Sequence, residues 1–288
     1  MFVQENSLEA IKEYFFNSLL ELYPEREVDS FFYLLSEHFL DLSRIQTRQS
    51  LSRKLSESEL LKFHYALKKL KDFVPIQQIT GSQFFYNHTF LVSPDTLIPR
   101  PETEELVDLI VKNNTEFDGR ILDIGTGTGA IAISLNLALP NSSVTAFDVS
   151  KPALEVAQKN NLLLNSSVEF LLEDILHPTY NGKPFDIVVS NPPYVLDKEK
   201  SQMEKNVLEY EPHLALFVKD EEPLLFYKAI ANFCQSNLVK GGKLFVEINE
   251  EYGSETSELF SSHGFDSVQI RKDLNGKDRM ISAIKSLD

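Results

Sequence analysis

The stretch Arg120-Ile-Leu-Asp-Ile-Gly-Thr-Gly-Thr-Gly-Ala130 decides the fold of this 288-residue chain. Its first five residues, which include Ile121, Leu122 and Ile124, predict a strand. Three glycines then allow a loop before a helix predicted from Ala130 to Leu139. A glycine loop of this kind lets the backbone come close to a ligand at the start of a helix. The stretch therefore predicts a βα unit with a binding site at the carboxyl end of its strand.

The chain after this stretch keeps alternating between strand and helix. Further strands are predicted at Ser143–Phe147, Ser167–Leu172, Phe185–Val189, Lys243–Ile248, Asp266–Ile270 and Arg279–Ile284. A helix predicted from Pro223 to Leu238 should stop at Gly241-Gly242. Repeated βα units form a doubly wound, mostly parallel sheet whose ligands bind beyond the carboxyl ends of its strands. The prediction is therefore an α/β, Rossmann-like domain.

The first quarter of the chain has a helical pattern instead. Apolar residues recur there every three or four positions, at Leu8, Ile11, Phe15, Leu19, Leu22, Phe31, Leu34, Leu35, Phe39, Leu42, Leu60, Phe63, Leu67 and Leu70. Ser56 and Glu59 have the spacing of a capping box that begins the last of these helices. Several amphipathic helices in succession predict a small all-α bundle.

A short segment separates this bundle from the α/β domain. Phe84–Tyr86 and Thr89–Val92 flank Asn87-His88, which predicts a β-hairpin with a two-residue turn. The predicted domains are a helical bundle over residues 1–74, a β-hairpin linker over residues 75–97 and the α/β domain over residues 98–288. The bundle carries no catalytic constellation, so we expect it to recognise a partner or to close over the active site, or else to act as a stabilising cap.

The composition restricts the partners and the compartment. The chain has 28 basic and 43 acidic side chains and a net charge of −15. A surface this acidic repels a phosphate backbone, so nucleic acid is disfavoured and a basic protein partner fits better. The single cysteine, Cys234, excludes an intrachain disulfide. Because Met1–Asn6 carries no secretory signal and no apolar run could span a bilayer, a cytoplasmic protein without membrane contact is expected.

The strand predicted at Phe185–Val189 leads into Ser190-Asn-Pro-Pro-Tyr194. Asn191 precedes a proline, so its backbone is extended and its carboxamide is presented at the strand end. The two prolines lack N–H groups and leave carbonyl acceptors with little local competition. With the aromatic face of Tyr194, this loop predicts a slot for a planar group that carries an NH2. An ordinary proline-stopped strand is the alternative for these residues alone.

The glycine loop indicates a nucleoside cofactor. Asp148 follows the last glycine by about 20 residues, which is the separation typical of an acid that binds ribose hydroxyls. A dinucleotide fingerprint would place its third glycine one residue later than Gly129, so an NAD enzyme remains an alternative for the loop alone. The six histidines, His38, His64, His88, His177, His213 and His263, have no ligand spacing, and no metal site is predicted.

Two motifs together carry a family resemblance. Asp123–Ile131 with Asn191–Tyr194, the NPPY motif, resembles class I S-adenosylmethionine-dependent methyltransferases of the amino-methylating kind. With Ile98–Glu104, the hairpin and the helical N-terminal region, the whole chain resembles the HemK-type release factor glutamine methyltransferases. That family methylates the side-chain nitrogen of the glutamine in the Gly-Gly-Gln motif of class I peptide chain release factors, which tunes translation termination. The resemblance implies S-adenosyl-L-methionine as cofactor and S-adenosyl-L-homocysteine as product.

The resemblance also implies roles for individual residues. Gly125, Thr126, Gly127, Thr128 and Gly129 would contact the methionine part of the cofactor, Asp148 its ribose, and Asp174 and Ile175 its adenine. Asn191, Pro192, Pro193 and Tyr194 would hold the substrate glutamine, with Asn191, Pro192 and Tyr194 as catalytic residues and Asn191 also near the cofactor. Arg100, between two prolines, would either orient a substrate carbonyl or pair with a carboxylate.

Two other functions stay open at this point. An adenine-N6 or other nucleic-acid amino-methyltransferase would use the same slot, because an exocyclic base amine is also a planar NH2. A binding protein could keep the cofactor fold without chemistry, although the NPPY motif argues against it. The chain departs from the family pattern at Gln78, where an aromatic residue is common, and at Phe217–Glu221, which replaces a glycine-rich segment.

Overall fold

The structure is a computed structural model and describes residues 5–287. The prediction about a secretory signal at Met1–Asn6 concerns residues that lie mostly outside this range. The helices are α1 (Leu8–Leu19), α2 (Glu25–Leu40), α3 (Arg44–Gln49), α4 (Glu57–Lys71), α5 (Ile76–Thr80), α6 (Pro101–Lys112), α7 (Ala130–Ala138), α8 (Lys151–Leu163), α9 (Lys205–Tyr210), α10 (His213–Leu216), α11 (Leu225–Asn237) and α12 (Gly253–Ser262). The strands are β1 (Ser82–Phe85), β2 (His88–Leu91), β3 (Arg120–Ile124), β4 (Ser143–Asp148), β5 (Glu169–Leu172), β6 (Phe185–Ser190), β7 (Val195–Leu196), β8 (Phe217–Val218), β9 (Leu238–Glu247), β10 (Phe265–Lys272) and β11 (Asp278–Lys285).

The chain forms two compact units. One contains Met1–Gly81 and Lys205–Tyr210, and the other contains Ser82–Glu204 and Glu211–Asp288. Helix α9 therefore belongs to the helical unit although the segments on either side of it belong to the α/β unit. The functional division of the chain at residues 74 and 97 stays a prediction.

The helical unit follows its apolar pattern with two exceptions. Ser56 Oγ accepts a hydrogen bond from Glu59 N, and the Glu59 carboxylate accepts one from Ser56 N at 2.7 Å, so the predicted capping box is confirmed. Leu22 and Leu34, which belong to the apolar repeat, are both exposed. Leu22 follows the end of α1, and Leu34 lies beside the face of α2 that buries Leu35.

Gln78, which departs from the family pattern, has a role within the helical unit. Its Nε2 donates a hydrogen bond to the carbonyl of Tyr210 at 2.7 Å. The Tyr210 hydroxyl donates in turn to the carbonyl of Asp72. These bonds hold the last residue of α9, and a hydrogen-bonding side chain at position 78 is what the arrangement requires.

The α/β unit contains a seven-stranded sheet in the order β10-β11-β9-β6-β3-β4-β5. The five strands from β9 to β5 are parallel, and β11 runs antiparallel to both of its neighbours. This confirms the predicted doubly wound, mostly parallel sheet. The predicted stop at Gly241-Gly242 is wrong. Helix α11 ends at Asn237, and both glycines lie inside β9, where Gly241 has φ +75° and the register with β6 shifts.

The predicted hairpin is present, with its turn one residue earlier than expected. Phe85 pairs with His88, and the two turn residues are Tyr86 and Asn87, with φ +41° and +68°. This register buries Phe85 and Phe90 in the main core of the α/β unit, which explains the shift. Asn87 stays in the turn, where it takes the left-handed conformation that asparagine tolerates well, and Tyr86 takes the place expected for His88.

The topology places five chain segments at one edge of the sheet. The glycine loop follows β3, Asp148 ends β4, Asp174 follows β5, Asn191 follows β6 and Glu247 ends β9. Because these strands are parallel neighbours, their carboxyl ends lie together, as expected for a ligand site in this class of fold. Among the described residues, no helix has both the length and the apolar character that crossing a membrane would require.

Candidate active site

The glycine loop is folded against the end of β4 by its own backbone. Gly125 N and Thr126 N both donate to the carbonyl of Phe147 at 2.9 Å. Gly125, Gly127 and Gly129 all have positive φ, between +55° and +80°, which glycine adopts without steric cost. Gly125 and Gly127 line a cleft of the α/β unit, so the ligand-facing surface of the loop is backbone.

The two threonines of the loop are buried behind it. Thr126 Oγ1 donates to Asp123 Oδ2 at 2.6 Å, and Thr128 is 2% exposed. Asp123 is fully buried, and burial raises its pKa to about 7 despite the hydrogen bond from Thr126. Contacts of Thr126, Thr128 and Gly129 with a cofactor stay a prediction. In the structure these residues support the loop, while Gly125 and Gly127 face the cleft.

Asp148 lines the cleft next to the glycine loop. Its Oδ2 accepts from Gly127 N and its Oδ1 from Ser150 N, both at 2.8 Å. Burial raises the pKa of Asp148, and these backbone hydrogen bonds oppose that rise. Each carboxylate oxygen keeps a second lone pair, so this carboxylate has the capacity to accept hydrogen bonds from ligand hydroxyls.

Asp174 and Ile175 continue the cleft wall after β5. Asp174 Oδ1 accepts from Leu176 N at 2.9 Å, and its Oδ2 lies 3.1 Å from His177 Nδ1. Ile175 presents an apolar side chain beside Ile230 and Phe226 of helix α11. A carboxylate next to an apolar wall suits a flat, partly polar group such as a nucleobase.

Asn191, Pro192 and Pro193 line the same cleft on the side of β6. Asn191 Nδ2 donates to Thr103 Oγ1 at 3.1 Å, and Thr103 Oγ1 donates to Glu247 Oε2 at 2.7 Å. A hydroxyl has a single proton, and that of Thr103 is given to Glu247, so Thr103 can only accept from Asn191. The carboxamide nitrogen of Asn191 is therefore fixed, and its Oδ1 is the atom left to accept a hydrogen bond from a ligand.

Tyr194 is held from behind rather than exposed in the cleft. Its hydroxyl donates to Glu247 Oε1 at 2.8 Å, and its carbonyl accepts from Asn249 Nδ2 at 3.2 Å. Burial and the neighbouring Glu247 raise the pKa of Tyr194 well above its usual value, so the hydroxyl keeps its proton. The predicted packing of its ring on a substrate amide stays a prediction.

Arg100 pairs with a carboxylate, which is one of the two alternatives left open by the sequence. Its guanidinium donates to Glu211 Oε1, and Glu211 Oε2 accepts from Ile98 N at 3.0 Å. The Glu211 side chain is 1% exposed, whereas that of Arg100 is 33% exposed. The pair fixes the loop before α6 to the segment after α9, and a contact between Arg100 and substrate stays a prediction.

Several residues of the site were missed by the sequence reasoning. The cleft is also lined by Asp95, Thr96, Leu97, Glu173, Pro212, Leu214, Ala215, Phe226 and Ile230. Behind it lie Thr103 and Glu247. Glu247 was detectable, because a carboxylate at the end of the apolar run Leu244–Val246 is rarely buried without a partner. Thr103 lies inside the motif Ile98–Glu104 that supported the family resemblance, but its partners are far away in the sequence.

Clusters of three or more histidine, cysteine, aspartate or glutamate side chains suited to a metal ion do not occur among residues 5–287. The polar groups that line the cleft include glycine backbone, carboxylates and the side-chain amide of Asn191. They suit an organic ligand with hydroxyl and amino groups.

Comparison with known proteins identifies the relatives of this chain. The Methyltransferase small domain family matches residues 102–212, and the PrmC N-terminal domain family matches residues 14–81. The chain is 47% identical over 278 residues to the release factor glutamine methyltransferase of Flavobacterium psychrophilum, with 94% of this chain and 98% of that protein covered. It is 43% identical over 274 residues to the enzyme of the same name from Bacteroides thetaiotaomicron, with 95% and 98% covered. A solved methyltransferase from Pyrococcus furiosus shares the fold, with a TM-score of 0.51 at 18% identity over 81% of this chain and 100% of that one.

Proposed function

The chain belongs to the release factor glutamine methyltransferase family, and we propose that it transfers a methyl group from S-adenosyl-L-methionine to the side-chain amide nitrogen of the glutamine in the Gly-Gly-Gln motif of class I peptide chain release factors. The observation that carries this proposal is the fixed orientation of Asn191. Its Nδ2 is bound to Thr103, so Oδ1 is available as an acceptor for an amide N–H. A planar NH2 group fits this acceptor.

The cleft has the groups that the cofactor needs. Gly125 and Gly127 offer backbone that a ligand can approach closely, because neither carries a Cβ. We assign the methionine part to the glycine loop, which Thr126, Thr128 and Gly129 support, the ribose to Asp148, and the adenine to Asp174 and Ile175. When bound there, S-adenosyl-L-methionine supplies an electrophilic methyl group on a positively charged sulfur.

The residues after β6 position the nucleophile. An amide nitrogen is a poor nucleophile because its lone pair is delocalised into the carbonyl group. Asn191 Oδ1 and the Pro192 carbonyl would accept the two amide hydrogens and hold the nitrogen in line for the methyl group, which is catalysis by orientation and by hydrogen bonding. Pro193 and the ring of Tyr194 would flank the amide plane. A base is not required before transfer, since the methylated nitrogen is strongly acidic and gives its proton to water or a nearby carbonyl.

The other contacts with the partner are assigned by the same reasoning. Arg100 is one-third exposed and held by Glu211, so its guanidinium is preset to donate a hydrogen bond to a carbonyl of the release factor backbone. The helical bundle over residues 1–74 would recognise the release factor. The net charge of −15 disfavours nucleic acid as substrate, and a substrate from translation places the reaction in the cytoplasm.

A methylation assay tests this function directly. The protein is mixed with a class I release factor and S-adenosyl-L-methionine labelled in its methyl group, and the modified residue is located by mass spectrometry. We expect the label on the glutamine of Gly-Gly-Gln. Asn191→Ala should lower kcat about a hundredfold or more, because it removes a hydrogen bond to the reacting group.

The matched control is Asn237→Ala, which also removes an asparagine side chain of the α/β unit. Asn237 Nδ2 donates to the carbonyl of Phe233 in its own helix. We expect this variant to keep wild-type activity. Methyl transfer to DNA or RNA instead of the release factor, or full activity in Asn191→Ala, would contradict the assignment.

A further inference from the structure

Glu247 is a buried carboxylate that the proposed reaction does not use directly. It ends strand β9, is 1% exposed, and accepts hydrogen bonds from Thr103 Oγ1 at 2.7 Å and from Tyr194 Oη at 2.8 Å. The carbonyl of Glu247 also accepts from the Tyr227 hydroxyl at 3.2 Å. Burying a carboxylate costs free energy unless hydrogen bonds satisfy its oxygens. We therefore ask what the hydrogen bonds of Glu247 do besides stabilising the fold.

The two hydrogen bonds connect Glu247 to both ends of the NPPY motif. Tyr194, the last residue of the motif, donates to the carboxylate directly. Asn191, the first residue, is connected through Thr103, which donates to Glu247 and accepts from Asn191. One carboxylate on a neighbouring strand therefore fixes the loop that would hold the substrate.

The direction of these bonds follows from the charge. A carboxylate only accepts, so both hydroxyls that face it must donate. Once Thr103 gives its proton to Glu247, it presents a lone pair to Asn191, and the carboxamide must turn its NH2 toward Thr103. Donor and acceptor roles are thus passed from Glu247 through Thr103 to Asn191.

We propose that Thr103 and Glu247 are positioning residues for methyl transfer: together they set the orientation of the Asn191 carboxamide so that its oxygen faces the substrate amide. The role rests on the proposed function. It also predicts how the enzyme distinguishes glutamine from glutamate, because an oxygen acceptor attracts an amide NH2 and repels a carboxylate.

Thr103→Val removes the hydroxyl at nearly constant shape. Asn191 then loses the acceptor for its NH2, and its carboxamide is free to turn over. We expect kcat to fall about tenfold to a hundredfold, as when a group that orients the reacting atoms is lost. Thr103→Ser keeps the hydroxyl and should restore kcat to within about threefold of wild type.

Glu247→Gln makes a sharper case, because it changes the direction of the bonds and not their number. Tyr194 can still donate to the oxygen of the new carboxamide at position 247, and the NH2 of that carboxamide donates to Thr103. Thr103 then passes its proton to Asn191, which must turn its own oxygen inward and its NH2 toward the substrate. The opposite arrangement leaves the buried Tyr194 hydroxyl proton without an acceptor, so the reversed one is favoured.

A specificity measurement separates positioning from structural support. The probe is a release factor in which the glutamine of Gly-Gly-Gln is replaced by glutamate, used as a competitive inhibitor. Wild-type protein should bind the glutamine form at least about tenfold more tightly. In Thr103→Val the ratio of the two affinities, glutamine form to glutamate form, should approach one, and in Glu247→Gln it should fall at least as far. In both variants the Kd for S-adenosyl-L-methionine should stay within about threefold of wild type.

Thr256→Val is the matched control, since Thr256 is fully buried and its hydroxyl donates only to the carbonyl of Tyr252. It should leave kcat and the ratio unchanged. Unchanged kcat in Thr103→Val, or a lower kcat with an unchanged glutamine-to-glutamate ratio in both variants, overturns the positioning role. If wild-type protein does not methylate the release factor, the proposed function fails together with this role, and the wild-type reaction alone reveals that outcome.

Discussion

The two sides of the cleft are built in different ways. On the cofactor side, the supporting hydrogen bonds join residues close in sequence, such as Gly127 to Asp148 across 21 positions. On the substrate side, they join Asn191 to Thr103 across 88 positions and Thr103 to Glu247 across 144. The cofactor side is made of backbone held by local folding, and the substrate side is made of side chains held by tertiary structure.

Each side also contains one fully buried carboxyl group. Asp123 lies under the glycine loop and binds Thr126, whereas Glu247 lies behind the NPPY motif and binds Thr103 and Tyr194. Burial raises the pKa of both groups, but Glu247 has two hydroxyl donors and the nearby Arg279 to favour its charged form. Glu247 therefore has more groups that favour its charged form than Asp123 has, although burial raises the pKa of both.

The largest expected effect concerns the pH dependence of stability at Asp123. The ordinary pKa of an aspartate is near 3.8, and in the folded protein that of Asp123 is about 7. Between these values the folded state binds one more proton than the unfolded state, so this contribution is fully present below pH 3.8 and is lost as pH rises through 7. In wild type, the free energy of unfolding should therefore fall by roughly 2–4 kcal/mol between pH 4 and 8 because of Asp123. This fall should be absent in Asp123→Asn.

Urea unfolding of wild type and Asp123→Asn at several pH values measures this difference. Other carboxyl groups whose pKa is raised, such as Asp148 and Glu247, titrate in both proteins and cancel when the two curves are subtracted. Parallel curves for the two proteins would contradict a raised pKa of Asp123 in the folded state.

The next effect tests how far the cofactor side depends on backbone. Gly129 has φ +80°, and a Cβ added there would lie 2.9 Å from Ile133 Cδ1 and 3.3 Å from Ala157 Cβ. Gly129→Ala should therefore cost about 2–3 kcal/mol in the free energy of unfolding, from left-handed strain and crowding together. Urea unfolding measures it.

Gly127→Ala is the matched control for this substitution. Gly127 has φ +55°, and a Cβ there meets no atom within 4 Å. The strain alone should cost about 1 kcal/mol, but the new methyl group would stand in the cleft and weaken cofactor binding. An equal loss of stability in the two variants would mean that crowding behind the loop is not what requires glycine at position 129.

The same contrast explains how much of the molecule the sequence could predict. Strand β3, the glycine loop and Asp148 were predictable because strand, loop and acid follow each other along the chain, with their periodicity and spacing intact. The mostly parallel sheet was predictable from the repeated βα units, although the order of its strands was not predicted. The conformation of such residues is set by their neighbours along the chain, so a local sequence pattern is enough to predict it.

The substrate side could be predicted only in part. The NPPY motif indicated a slot for an NH2 group, yet Thr103, Glu211 and Glu247 acquire their roles from partners 53 to 144 positions away. A single chain carries no pattern for such pairings. The same limit applies to Tyr86 and Asn87, since the hairpin register depends on which phenylalanines reach the core, and to Gly241, which reads as a helix stop but forms a bulge.

The smallest effect removes one oxygen atom from the substrate side. Tyr194→Phe deletes the hydroxyl that donates to Glu247 Oε1 and leaves the backbone of the NPPY motif in place. We expect a five- to tenfold lower kcat, equivalent to about 1 kcal/mol, with an unchanged Kd for the cofactor. Tyr227→Phe is the matched control, because the Tyr227 hydroxyl donates to the carbonyl of Glu247 and not to its carboxylate.

The pH dependence of kcat in Tyr194→Phe tests whether the charge of the Glu247 carboxylate orients Asn191 or whether Glu247 has only a packing role. The hydrogen bond from Tyr194 lowers the pKa of Glu247 and so opposes the effect of burial. Without that bond the pKa of Glu247 rises further, so Thr103 loses its charged acceptor at a higher pH. The acidic limb of kcat should therefore move to higher pH in Tyr194→Phe and stay in place in Tyr227→Phe. If the acidic limb of kcat lies at the same pH in both variants, the charge of Glu247 does not influence the substrate side.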